Sequence, residues 1–308
     1  MGMIIDGRWS ISDLTIQDGS YNRPKTTFRM GFPDLKKGGM IPKNRYRLFI
    51  SESCPWCHRV TLVHKLKGLQ DLLPIHIVGE PRVQGYALNK GQPVPIPGLS
   101  QQATYLHELY SASVTDFTGR STIPVLWDDK EGCILNNESS EILRLLNNLP
   151  TASGGKALDL YPAAKRAEID EWDDIIYDAL NNGVYRTGFA QTQSAYEEAV
   201  TQVFQALDRL DHHFENHKFL ISDLVTVADC KLYPTLIRFD PVYFSHFKCS
   251  VRPLRDYPNI TRYIRDLDQQ YGFADTVNME AIRFAYFYND RSINPYGIIP
   301  KANEGPFK

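Results

Sequence analysis

An apolar run leads directly into a pair of cysteines in residues 46–58, YRLFISESCPWCH. The first five of these residues predict a buried strand, and the pattern after Pro55 predicts a helix that ends near Gly68. Pro55 falls at the first helical position, where its missing N–H costs no hydrogen bond. Cys54 therefore stands at a helix N-terminus, where unpaired backbone N–H groups and the helix dipole favour a thiolate over a thiol.

A strand that ends in Cys-x-x-Cys and continues into a helix is typical of a thioredoxin-like redox site. Zinc binding is the competing interpretation of Cys54 and Cys57, and it requires a second pair of ligands. The sequence contains no matching pair. We therefore expect thiol chemistry at these cysteines and no metal, with a merely buried pair as the remaining interpretation.

The composition describes an ordinary globular protein. The chain has 308 residues, of which 43% are hydrophobic and 23% are charged, and its formal net charge is −2. This charge gives no reason to expect nucleic acid or an anionic membrane as a partner, and no apolar stretch reaches the ~18–20 residues that span a bilayer. The N-terminal residues lack a secretory pattern, and the five cysteines have no regular spacing. We therefore expect a cytoplasmic protein.

Three segments follow one another along the chain. Residues 1–45 are polar and rich in turn-forming residues, and we interpret them as an extended N-terminal arm. Residues 46–150 predict a strand, a helix and a strand, then two strands and a helix, which together make a thioredoxin-like α/β domain. Residues 151–308 are helical in pattern almost throughout and predict an all-helical domain. The proline-rich loop of residues 79–100 is long enough to indicate a function.

A predicted helix cap in the C-terminal half adds to this division into an α/β domain and an all-helical domain. Thr226 is predicted to cap the helix that follows it, with Asp229 as the reciprocal partner of a capping box. A thioredoxin-like domain followed by an all-helical domain with this cap resembles the glutathione transferase superfamily.

Six segments narrow the resemblance to the glutathionyl-hydroquinone reductases, also called Xi-class glutathione transferases. They are CPW at 54–56, NNESSEI at 136–142, GVYRTGFA at 183–190, RFDPVY at 238–243, HFKC at 246–249 and INP at 293–295. They occur in family order, within a match that covers roughly residues 20–300. The resemblance implies a reductase that removes glutathione from glutathionyl-hydroquinone-type aromatic substrates. It also implies a homodimer that associates largely through the helical domain.

The resemblance also implies the roles of individual residues. Cys54 is the nucleophile, which forms a mixed disulfide with glutathione and is released by a second glutathione. Tyr185 and Tyr286 line the site for the quinone-derived substrate, where a phenol donates to the aryl oxygen. Glutathione, a co-substrate and not a bound cofactor, is held by a further group of residues. This group comprises Trp56, Ile123, Pro124, Glu138 and Ser139.

The chemistry of this group suits glutathione. In the family, Ile123 and a cis Pro124 form the edge that pairs with the glutathione backbone. Glu138 would accept from the ammonium of the γ-glutamyl group, while Ser139 and a helix N-terminus would donate to its carboxylate. From the residues alone, Pro124 also fits a turn at a strand end, and residues 137–141 also fit a simple helix cap.

The chain departs from the family pattern at three places, which keeps other hypotheses open. Cys57 replaces the usual alanine, so a glutaredoxin-like dithiol–disulfide oxidoreductase that resolves the mixed disulfide internally is the alternative function. Residues 79–100 lack the tryptophan that the family packs on glutathione, so the use of a small thiol other than glutathione as co-substrate stays an open hypothesis. Tyr286 belongs to the family string His-Tyr-Tyr-x-Ser-His, which reads AYFYND here and offers Tyr288 as a candidate substitute. The third hypothesis is a non-catalytic binding protein.

Overall fold

The computed structural model describes residues 2–11, 16–17, 20–21, 26–36, 40–150, 158–221 and 223–301. Within these residues the chain forms two compact units. The first contains residues 2–11 and the described part of 26–158, and the second contains 159–301 together with two short strands near residue 20. The predicted limits of the arm and of the two domains stay predictions, and residues 151–157 lie outside the described residues.

The elements are numbered in chain order. The strands are β1 (Met3–Ile5), β2 (Arg8–Ser10), β3 (Ile16–Gln17), β4 (Ser20–Tyr21), β5 (Tyr46–Ile50), β6 (Ile75–Ile77), β7 (Val125–Asp128) and β8 (Cys133–Asn136). The α-helices of the first unit are α1 (Pro33–Lys36), α2 (Pro55–Leu66), α3 (Leu106–Ser113) and α4 (Ser139–Asn147). Those of the second unit are α5 (Arg166–Ile176), α6 (Gly183–Phe189), α7 (Gln193–Asn216), α8 (Val227–Arg238), α9 (Phe244–His246), α10 (Pro258–Tyr271) and α11 (Met279–Asn289). Single 3-10 turns occur at Ala163–Lys165, Leu254–Asp256 and Phe273–Thr276.

The first unit is built on a mixed sheet with the strand order β6-β5-β7-β8. β5 runs parallel to β6 and antiparallel to β7, which pairs antiparallel with β8. The central strands form the core of the unit, and Leu48, Phe49 and Trp127 have no exposed surface. This topology confirms the predicted thioredoxin-like domain.

The second unit is helical, as predicted, and two of its helices continue directly into π-helical segments. α5 gives way at Ile176 to a π-helical segment, Tyr177–Asn182. α8 likewise runs into a second π-helical segment, Phe239–Tyr243, where Pro241 has no N–H to continue the α-helical ladder. Such π-helical segments within α-helices are frequent at functional sites. None of the helices in the described part of the chain has the length and apolarity to cross a bilayer.

The predicted capping box at the start of α8 is confirmed. The backbone N–H and the hydroxyl of Thr226 donate to Asp229 Oδ2 at 2.8 and 3.0 Å. The N–H of Leu220 and the hydroxyl of Tyr263 donate to Oδ1 at 3.1 and 3.0 Å. Asp229 is completely buried, so one carboxylate satisfies four donors from three parts of the second unit.

Candidate active site

The predicted nucleophile lies where β5 ends and α2 begins. Cys54 is the N-cap of α2, with φ −81° and ψ 122°, and its side chain makes no capping hydrogen bond. Its thiol is half-exposed, while Pro55 occupies the start of the helix as predicted. Gly68 adopts the left-handed conformation, φ +63°, that terminates such a helix. The sequence therefore folds locally into the arrangement that favours a thiolate at Cys54.

The second cysteine of the motif has a different environment. Cys57 is completely buried, and the backbone N–H of Ser51 donates to its sulfur at 3.4 Å. All five cysteines lie in the described residues and are thiols. Burial raises the pKa of Cys249 to about 12 and also raises that of Cys133. No group of three histidine, cysteine or acidic side chains that could hold a metal is found among the described residues.

Two predicted glutathione-binding residues lie where β8 leads into α4. Glu138 caps this helix, and its carboxylate accepts from the N–H of Ser140 at 3.1 Å and from the hydroxyl of Thr26 at 3.0 Å. Ser139 is buried, and Arg59 Nη1 donates to its hydroxyl at 3.5 Å. Glu138 is thus a helix cap, and its carboxylate is also suited to accept from an ammonium group. Binding of the γ-glutamyl group stays a prediction.

The remaining predicted glutathione-binding residues are largely buried. The peptide bond between Ile123 and Pro124 is cis, as the resemblance implies, and it directly precedes β7. Ile123 is buried, so it would present backbone groups to a ligand. Trp56 is also buried, with the Arg59 guanidinium 4.5 Å from its ring centroid. A contact between the Trp56 indole and glutathione stays a prediction.

The loop after β6 places a cation and an aromatic ring near the cysteines. The sequence analysis did not predict either of these side chains. Arg82 Nη2 donates to the hydroxyl of Ser53 at 3.2 Å, and its guanidinium lies 4.4 Å from the ring centroid of Tyr86. Burial raises the pKa of Tyr86, Arg82 lowers it, and Cys54 and Cys57 raise it further. Tyr86 is thus an aromatic residue that this loop places close to the two cysteines. An arginine and an aromatic residue shortly after a strand were the available signal.

The two predicted catalytic tyrosines lie together in the second unit. The hydroxyls of Tyr185 and Tyr286 are 2.6 Å apart, and that of Tyr243 is 3.2 Å from the hydroxyl of Tyr286. Tyr243 and Tyr286 are buried, whereas Tyr185 is half-buried. Burial raises the pKa of Tyr286 well above its ordinary value, and both neighbouring tyrosines raise it further. Tyr286 therefore remains a neutral hydroxyl that can donate a hydrogen bond at physiological pH.

The candidate substitute for the missing family tyrosine does not join this cluster. Tyr288 is 44% exposed, and its ring stacks on Phe284 with centroids 4.8 Å apart. Residues two positions apart on a helix point in different directions, which separates Tyr288 from Tyr286. At the end of the same string, Asp290 Oδ2 lies 3.2 Å from Nε2 of His246.

Comparisons with known proteins place these features in a superfamily. The family model described as "Glutathione S-transferase, N-terminal domain" matches residues 53–149, and "Glutathione S-transferase, C-terminal domain" matches residues 193–266. Glutathionyl-hydroquinone reductase YqjG of Escherichia coli K12 is 41% identical over an alignment that covers 97% of this chain and 94% of its own. Glutathionyl-hydroquinone reductase PcpF of Sphingobium chlorophenolicum is also 41% identical, with coverages of 99% and 97%.

Solved structures agree with these sequence matches. The glutathione transferase Xi of Phanerochaete chrysosporium has a TM-score of 0.86 and 42% identity, covering 94% of this chain and 95% of its own. The glutathione-bound structure of YqjG has a TM-score of 0.83 and 39% identity, covering 99% and 96%. Fold and domain order are thus those of a glutathione transferase. More narrowly, the chain belongs to the glutathionyl-hydroquinone reductase family, the Xi class of that superfamily.

Proposed function

We propose that the protein is a glutathione-dependent reductase that removes glutathione from glutathionyl-hydroquinone-type aromatic substrates through a mixed disulfide at Cys54. The half-exposed Cys54 thiol at the N-terminus of α2 carries this proposal. Two relatives that are 41% identical over almost their whole length bear the name glutathionyl-hydroquinone reductase. Glutathione as co-substrate is supported by the glutathione-bound relative and by the polar start of α4 at Glu138 and Ser139.

The proposed reaction consists of two thiol transfers. The ring carbon that carries the sulfur first takes a proton, which gives the keto tautomer of the substrate. The Cys54 thiolate then attacks the glutathionyl sulfur, the bond from that sulfur to the ring carbon breaks, and the electron pair passes through the ring to the oxygen. The oxygen takes a proton and the hydroquinone leaves, while Cys54 and glutathione are joined in a disulfide. The thiolate of a second glutathione attacks the glutathione sulfur of this disulfide, which releases glutathione disulfide and restores the Cys54 thiolate.

The tyrosines of the second unit are proposed to assist the first transfer. Negative charge develops on the aryl oxygen as the ring accepts the electron pair, and a neutral phenol stabilises it by donating a hydrogen bond. Tyr185 is half-buried and is the member of the cluster proposed to meet the substrate. Tyr286 bonds to Tyr185 at 2.6 Å and would orient its hydroxyl or supply the proton itself.

Substituting Tyr286→Phe is expected to lower kcat by about 10²-fold with little change in KM for glutathione, because it removes a donor to the developing charge. Steady-state release of menadiol from glutathionyl-menadiol in excess glutathione measures both constants. Tyr288→Phe is the matched control, since it makes the same change on the same helix at an exposed position. If both variants turn over at the wild-type rate, the assignment of Tyr286 is wrong.

The alternative function, a dithiol–disulfide oxidoreductase, requires the Cys57 thiol, whereas the proposed mechanism does not. In the proposed mechanism external glutathione resolves the mixed disulfide, so Cys57→Ala should keep nearly wild-type turnover of glutathionyl-menadiol. The complete burial of Cys57 favours this outcome, because buried structural cysteines are generally unreactive. A loss as large as that of Cys54→Ser would instead favour the dithiol enzyme. Replacement of glutathione by other small thiols in the same assay tests which thiol is used.

The assembly and location are also proposals. A homodimer and a quinone-derived aromatic substrate follow from family membership, and light scattering at twice the mass of the chain tests the dimer. The five cysteines, all of them thiols, support a reducing cytoplasm. The net charge of −2 supports small molecules, and neither nucleic acid nor membrane, as partners.

A further inference from the structure

The described part of the N-terminal arm pairs with the outer edge of β8. The N–H of Met30 donates to the carbonyl of Leu135 at 2.8 Å, and the N–H of Asn137 donates to the carbonyl of Phe28 at 3.1 Å. The N–H of Phe28 donates to Oδ1 of Asn137 at 3.1 Å. β8 is the last strand in the sheet order, so this segment covers a sheet edge whose backbone groups would otherwise lack partners.

Aromatic side chains fix this segment to the first unit. The Phe28 ring packs edge-on against Tyr110, with centroids 5.6 Å apart. Phe32 is 1% exposed and packs against Tyr46 at 5.0 Å. The backbone pairing and the buried rings together hold residues 26–32 in a defined register beside the start of α4.

Thr26 stands at the beginning of this segment and contacts the start of α4 directly. Its hydroxyl donates to Glu138 Oε2 at 3.0 Å, while Oε1 accepts from the N–H of Ser140 at 3.1 Å. One carboxylate oxygen is therefore held by the helix and the other by the arm. A carboxylate has about four acceptor positions, so about two remain for a ligand.

We propose that Thr26 is a positioning residue for thiol binding, which orients the Glu138 carboxylate so that its remaining lone pairs accept from the ammonium of a γ-glutamyl group. This inference rests on the proposed function, in which Glu138 binds that ammonium. A glutamate side chain has several rotatable bonds, and fixing it before the ligand arrives lowers the entropic cost of binding. The arm is thus part of the thiol-binding site of its own unit.

Calorimetric titration with S-methylglutathione tests this role, because this probe keeps the γ-glutamyl group and has no free thiol. Thr26→Val removes the hydroxyl at nearly constant volume and is expected to raise Kd about five- to tenfold, which corresponds to the net contribution of one typical hydrogen bond. Thr26→Ser restores the hydroxyl and is expected to restore the affinity. Thr118→Val is the matched control, since it removes a hydroxyl that bonds to Asp6.

A double-mutant cycle with Glu138→Gln separates positioning from a general structural role. In the Glu138→Gln background, Thr26→Val is expected to cause no further rise in Kd, because its effect passes through the carboxylate. The inference about Thr26 is wrong if Thr26→Val raises Kd equally in both backgrounds. It is also wrong if Thr26→Val keeps the wild-type Kd while Glu138→Gln binds weakly. In both cases the proposed role of Glu138 still stands. If Glu138→Gln itself binds as tightly as wild type, the Glu138 assignment in the proposed function is wrong and the inference falls with it.

Discussion

Cys54→Ser is expected to reduce kcat/KM for glutathionyl-menadiol by on the order of 10³-fold or more. A serine hydroxyl is not ionised near neutral pH even at a helix N-terminus, and it cannot form a disulfide with the glutathionyl sulfur. The first transfer therefore loses both its nucleophile and its covalent intermediate. Release of menadiol in the presence of excess glutathione measures the effect.

Cys133→Ser provides the control for this experiment. Cys133 is also half-exposed and lies in β8 of the same unit, so the substitution repeats the chemical change away from the start of α2. We expect this variant to keep wild-type activity. Substantial turnover in Cys54→Ser would contradict the proposed nucleophile, while an equal loss in both variants would point to damage of the fold.

The largest expected effect on stability belongs to Asp229→Asn, which should lower the free energy of unfolding by about 3 kcal/mol. Four donors converge on the buried carboxylate, two on each oxygen. An asparagine keeps the shape but replaces one oxygen with an NH₂ group, so two donors are left facing another donor. Denaturant unfolding followed by far-ultraviolet circular dichroism measures the difference.

Asp208→Asn is the control for this substitution. Asp208 is exposed and pairs with Arg252 on the surface of the second unit. Exposed ion pairs contribute little, so its removal should change stability by no more than about 0.5 kcal/mol. If the two variants lose the same stability, the buried capping network does not have the role assigned to it.

The effect of Asp229→Asn should also depend on pH. Burial raises the pKa of Asp229 to about 6, against hydrogen bonds from Thr226, Leu220 and Tyr263 that lower it. An unfolded aspartate titrates near pH ~4, so between about pH 4 and 6 the folded chain binds more protons, and wild-type stability falls as pH rises. The asparagine variant lacks this contribution. The stability difference between the two proteins should therefore shrink from pH 4 to 6.5, and a difference that grows would contradict the raised pKa.

Local patterns in the sequence predicted much of the fold. The strand before Cys54, the helix that ends at Gly68 and the capping box of Thr226 and Asp229 all depend on residues within one or two turns of each other. Their chemistry is therefore visible in the sequence itself. The two π-helical segments were missed, because one extra residue in a turn hardly disturbs the apolar pattern on either side.

The contacts that assemble the candidate site come mostly from residues distant in sequence. Tyr185 meets Tyr286 across 101 residues, and Thr26 meets Glu138 across 112 residues. Periodicity carries no information about such pairs, so resemblance to a family suggested Tyr185, Tyr286 and Glu138, while Thr26 emerged only from the structure. Tyr86 and Arg82 were missed for a related reason, since an irregular loop gives no pattern from which the direction of its side chains follows.

Intact mass of the purified protein after incubation with glutathione disulfide tests most directly whether Cys54 forms a mixed disulfide with glutathione. We expect a single glutathione adduct in the wild type and in Cys57→Ala, and none in Cys54→Ser. An adduct that persists in Cys54→Ser would contradict the assignment of the nucleophile. Loss of two hydrogens without any adduct would contradict the glutathione mechanism and indicate a Cys54–Cys57 dithiol enzyme instead.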